Sequence, residues 1–186
     1  MNTSNLRSVF ILFQSRAESN LLNFHKWTDR SHPQTLQFAV LLFYFNAVFA
    51  LLETIGINLG SDVSYGVAFI FGIFRATGVI NTLGTLAITS TLASAVLSSL
   101  VRVVFLVLAL GHGFAGLSIA NERKWGFYLG IGLAIIDLGG IFTAAIYGGV
   151  SQIFSLYGML GLLWIVLLLG LLLHNESRQY KQIWFR

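Results

Sequence analysis

The sequence predicts an all-α membrane protein, a polytopic helical bundle with four transmembrane helices. Three observations predict it. Of 186 residues, 56% are hydrophobic and 10% are charged, whereas a soluble domain averages about a quarter charged. Apolar runs long enough to cross a hydrocarbon core of about 30 Å recur along the chain. The basic residues gather between and beyond those runs, where they set orientation in a membrane. That placement also argues against nucleic acid as a partner, despite a net charge of +4. The partner it implies is the lipid bilayer. The chain has no cysteine, which excludes disulfides, thiolate metal sites and thiol catalysis.

Residues 1–35 form a basic, amphipathic segment. Arg7, Arg16, Lys26 and Arg30 outnumber Glu18 and Asp29. Leu6, Val9, Phe10 and Phe13 share one helical face, and Leu21, Phe24 and Trp27 suggest a second stripe. Such a helix suits the membrane interface. The apolar run Val9–Phe13 is too short for a signal-peptide core. Pro33, the sole proline, closes the segment, because the residue before a proline resists helix.

The bundle is expected over residues 36–174, with spans at about 36–58, 101–120, 125–147 and 153–173. Span one is rich in phenylalanine, which suits lipid contact, and is interrupted by Asn46 and Glu53. Residues 59–100 are ambiguous. An apolar stretch from Val63 to Ile80 contains Arg75, and a Thr/Ser/Ala/Gly-rich stretch follows. No turn residue breaks Ser98–Val103. The expectation is a short helix or re-entrant hairpin running into an extended span two. Its hydroxyls either line a polar cavity or let helices approach closely. Residues 175–186 form a basic, aromatic tail in which Tyr180, Ile183 and Trp184 share a face, again an interfacial pattern.

Parity sets the topology. Arg123 and Lys124 mark the turn between spans two and three as cytoplasmic. Arg178, Lys181 and Arg186 mark the C-terminus, and the N-terminal segment is basic too. An even number of crossings satisfies all three. Four is preferred and six is the alternative.

Two ionisable residues lie deep within apolar spans. His112 stands nine residues before Asn121, and Asp137 twelve after Trp125. At about 1.5 Å per residue they lie roughly 14 and 18 Å from the turn, near the midplane. Charges there are costly and find partners, so the two are expected to pair. The pair is either a structural fastening or a proton-accepting site, histidine being tunable near neutral pH. A second depth match, near the outer face, joins Glu53 to Arg102, with Arg75 as rival partner.

Gly111-His112-Gly113-Phe114-Ala115-Gly116 spells G-x-G-x-x-G, but a dinucleotide loop requires a strand before it and a soluble βαβ unit. Inside a span these glycines are packing residues. Gly126 and Gly130, with Gly140, Ala144 and Gly148, form small-xxx-small seams that serve either the bundle or a partner subunit. No metal-ligand spacing, P-loop, HExxH or G-x-S-x-G occurs, so no cofactor or metal is expected and an enzyme is the weakest reading. The preferred expectation is a non-catalytic structural or accessory subunit. It would pack through its seams against a membrane protein partner or a second copy, and the expected location is the plasma membrane. A small transporter or proton-coupled carrier built on His112 and Asp137 is the alternative.

Overall fold

In the computed structural model, residues 32–57, 63–78 and 91–185 are described. Their elements are helices: α1 (Gln34–Thr54), α2 (Val63–Ala76), α3 (Thr91–Ala120), α4 (Lys124–Gly148), α5 (Ser151–Phe154), α6 (Leu156–Leu173) and α7 (Asn175–Trp184). Four are long and apolar enough to cross a membrane: α1, α3 from Ala95 onward, α4 and α6. The protein is a multi-pass helical membrane bundle. The amphipathic stripes expected before His32, and Arg186, lie outside the described residues.

Local sequence explains where the helices start and stop. Pro33 precedes α1, and its carbonyl accepts from the amides of Leu36 and Gln37. Thr54 ends α1 four residues before the expected Asn58, because Gly56 turns to φ 94°. There the Ile57 amide closes back on Leu52 O, a left-handed helix stop that glycine permits. Helix α3 runs unbroken from Thr91, so Ser98–Val103 lies inside it. Residues 151–155 do not belong to the last span. Ser155 is extended and its hydroxyl accepts from Gly158 N, an N-cap that starts α6 at Leu156.

Contacts set the helix directions. Phe43 and Tyr44 of α1 face Gly116 of α3, and Ala47 faces Gly113. One number rises as the other falls, so α1 and α3 are antiparallel. Gly66, Phe69, Gly72 and Arg75 of α2 meet Asp137, Gly139, Thr143 and Tyr147 of α4 in that order. Both numbers rise together, so α2 runs parallel to α4. It starts level with Asp137 and climbs away from the Asn121–Arg123 turn. The bundle end carrying that turn is called inner below, and the opposite end outer.

The core is a stripe from each long helix. Leu36, Ala39, Val40, Phe43, Ala47 and Ala50 of α1 are buried, at the three- and four-residue spacing of one helical face. Phe43 corrects the expectation that the span-one phenylalanines face lipid: it is fully buried, while Phe38 and Phe45 are exposed. The inner end is tied by polar contacts. Thr35 and Ser177 hydroxyls lie 2.9 Å apart, joining α1 to α7. Tyr180 OH donates to Glu122 Oε1 at 3.0 Å, joining α7 to the α3–α4 turn. The start of α1, the turn and α7 therefore lie at one end, as an even number of crossings demands.

Candidate functional site

His112 sits on the buried α3 stripe Leu108, Ala109, His112, Ala115 and Ile119. Asp137 sits on the α4 stripe Leu133, Ala134, Asp137, Gly140 and Ile141. Antiparallel packing brings them together at the depth where residue counting put them. Nε2 of His112 lies 3.0 Å from Oδ2 of Asp137, and both side chains are wholly inaccessible. Phe43 covers the imidazole, with ring centroids 5.9 Å apart.

The protons follow from the partners. Nδ1 of His112 lies 2.9 Å from the Leu108 carbonyl oxygen. A carbonyl only accepts, so Nδ1 carries a hydrogen. A short Nε2–Oδ2 contact then needs one more proton between them. It sits either on nitrogen, as imidazolium and carboxylate, or on oxygen, as neutral imidazole and carboxylic acid. Both forms have zero net charge. Losing that proton would set a carboxylate against a nitrogen lone pair in a sealed apolar space, which burial penalises by several kcal/mol.

The other carboxyl oxygen, Oδ1, fills a notch in α2. A side chain at Gly66 would overlap it, and would also press on Leu108 Cδ1 at 3.2 Å. Oδ1 makes no hydrogen bond among the described residues. One glycine of a short helix thus seats the buried carboxyl. Depth matching revealed His112 and Asp137, but it gave no sign of Gly66, since a lone glycine in an apolar segment carries no such signal.

The expected outer ion pair is not formed. Among the described residues, no ion pair joins Glu53 to Arg102 or to Arg75. The α3 face packed on the core there is Val101, Val104 and Phe105, and Arg102, turned off that stripe, is exposed. Arg75 lies over the Tyr147 ring, Cζ to centroid 4.5 Å. Counting along the spans matched these residues, but the register of Phe43 on Gly116 and Ala47 on Gly113 sets Arg102 about five residues farther out than Glu53, and Arg102 also turns off the core face. Glu53 is half-buried near the end of α1.

The glycine seam is used inside the bundle. A Cβ at Gly126 would strike Ser118 of α3, and one at Gly130 would come 2.7 Å from the Phe43 ring of α1. One at Gly140 would enter the Tyr65 backbone of α2. Ala144 lines a cavity and Gly148 is exposed at the end of α4. The seam's central glycines are thus occupied by this chain's own helices.

Two polar ties escaped the sequence reading. Trp164 Nε1 of α6 donates to Asn46 Oδ1 of α1 at 2.9 Å. Glu122 holds a left-handed φ of 58° in the turn and receives the Tyr180 hydroxyl. Partners 118 and 58 residues apart leave no local pattern. Of the topology residues, Arg123 and Lys124 flank the inner turn and Arg178 is exposed on α7. Lys181 lies over the Phe127 and Tyr128 rings at 4.8 and 4.6 Å. Comparison with protein-family models, with curated proteins and with solved structures found no match.

Proposed function

We propose that this protein is a non-catalytic accessory component of a membrane, with both ends on the cytoplasmic side and the His112–Asp137 pair acting as a neutral fastening. The observation that carries the reading is the sealing of that pair. Both side chains are inaccessible, Nδ1 is satisfied by Leu108, and the net charge is zero in either proton arrangement. A proton relay normally needs further polar stations leading to water. The basic turn and the basic α7 share the inner end, which supports a cytoplasmic assignment for it.

Partner contact falls to the least covered span. The apolar window of α6 is 28% buried, against 39, 44 and 33% for α1, α3 and α4. It turns Leu160, Leu163, Val166 and Leu167 outward. Purification in mild detergent, with chain stoichiometry read by mass spectrometry, tests this. The reading expects a companion protein at fixed stoichiometry that is lost on Leu163→Trp. A clean homo-oligomer contradicts it.

A proton-coupled carrier is the second reading, favoured by Asp137 Oδ1, which lies beneath the α2 helix and makes no hydrogen bond among the described residues. Asp137→Asn separates the two. An asparagine amide can donate to neutral His112 as a carboxylic acid does, so the fastening persists while the titrating group is gone. The carrier reading expects a folded protein that no longer takes up protons in proteoliposomes. The fastening reading expects no proton uptake by either form.

A further inference from the structure

We propose that the outer end holds a lipid site, in which an anionic phospholipid lays one acyl chain between α2, α3 and α4 and sets its phosphate on Arg75. An open cavity of about 320 Å³ lies there, at the lower end of the range for ligand cavities. Its walls are apolar: Ala68, Phe71 and Gly72 from α2, Leu97 and Val101 from α3, and Ala144 from α4. Thr143 also lines it but offers no free hydroxyl, since its Oγ1 donates to Gly139 O at 2.9 Å and its methyl packs on Gly72. The polar lining that remains is Arg75 and Tyr147.

Those two stand at one end. Phe69, next to Ala68, is level with Gly139, fifteen residues along from Lys124, and Arg75 is level with Tyr147, twenty-three along. At 1.5 Å per residue the cavity rises from roughly 22 to 34 Å above the inner end. Its floor lies in the outer part of a hydrocarbon layer about 30 Å thick, and its cation reaches headgroup level. Apolar below and cationic above is the complement of an anionic amphiphile in the outer leaflet.

The state of Arg75 fits the same occupant. Its side chain is exposed, and among the described residues it forms no ion pair. The Tyr147 face takes one side of the guanidinium plane. The edge of the plane, which carries the N–H fork, is the part that binds phosphate. A soluble anion would gain nothing from the apolar walls, and a zwitterionic headgroup would gain less from the cation. Exposed Phe74, Val96 and Ile146 on the same three helices continue the apolar surface around the opening, so a bilayer lipid reaches the cavity sideways.

The test places the full chain in nanodiscs of equal phosphatidylglycerol and phosphatidylcholine. Lipid that stays bound after release is identified by native mass spectrometry. One phosphatidylglycerol per chain is expected, preferred roughly tenfold over phosphatidylcholine, the size of a charge-assisted hydrogen bond. Arg75→Gln, on an exposed side chain, keeps the fold and should bring that preference close to one. Leu97→Trp fills the cavity and should release both lipids; if it fails to fold, Arg75→Gln decides alone. Equal retention of the two lipids by the unaltered chain would overturn the proposal, as would an Arg75→Gln protein with its preference intact. A photoreactive leucine at position 97 should label lipid, and labelling of residues 79–90 or of a second chain instead would also overturn it.

Discussion

The two ends of this bundle are held by different forces. At the inner end, short polar ties join segments far apart in sequence: Thr35 to Ser177, Tyr180 to Glu122, and Lys181 over two aromatic rings. At the outer end, α2 docks on α4 through glycine notches, an apolar cavity stays open beside it, and the cation there meets an aromatic face. Part-buried hydrogen bonds help fix the inner end, since a donor or acceptor taken from water is costly to strand. Close packing holds the outer end, and packing tolerates a guest where a space remains. The His112–Asp137 pair lies between the two regimes and joins them. Its nitrogen side belongs to the α3–α4 hairpin, and its second carboxyl oxygen sits under α2.

The largest expected effect comes from breaking the outer packing. Gly140→Leu would drive a side chain into the Tyr65 backbone, which cannot yield as a flexible side chain would. We expect about 3 kcal/mol or more of destabilisation, the upper range for overpacking. Because the chain has no cysteine, single introduced thiols report locally. Val67→Cys should become reactive in the Gly140→Leu background, while Ala120→Cys at the inner end stays protected. Equal reactivity at both ends would show that the ends are not independent.

Next in size is His112→Leu, which leaves the buried carboxyl without its hydrogen-bond partner. A stranded polar group of this kind costs about 1–3 kcal/mol, read as thermal stability in detergent. Tyr180→Phe removes one inner tie and should cost about 1 kcal/mol, with fraying of α7 detected by faster proteolysis near Trp184. Arg75→Gln should change stability least, within about 0.5 kcal/mol, as surface substitutions do.

Sequence made the middle of the molecule legible and its two ends much less so. His112 and Asp137 could be paired by counting residues from Asn121 and Trp125, because helical rise is constant. The same counting matched Glu53 with Arg102, and there it misled: the packing of α1 on α3 sets Arg102 about five residues farther out, and depth says nothing about which way a side chain turns around its helix. Nor could composition say which neighbour a glycine admits, so the seam of Gly126, Gly130 and Gly140 read as internal or external alike. The parallel course of α2 was hidden too, since a 14-residue helix carries no signal for the depth at which it starts. Basic residues at 123, 124, 178 and 181 did place the turn and α7 at one end, because charge outside the membrane is a one-dimensional property of the chain.

In the proposed fastening, His112 and Asp137 share one proton and carry no net charge. The most direct measurement compares the thermal midpoints of Asp137→Asn and His112→Leu with that of the unaltered protein in one detergent. Asp137→Asn, which keeps a donor facing His112 Nε2, should stay within about 2 °C, while His112→Leu should fall by roughly 4–10 °C. An Asp137→Asn protein as unstable as His112→Leu would contradict the account, because the charge of the carboxylate would then be what holds α3 to α4.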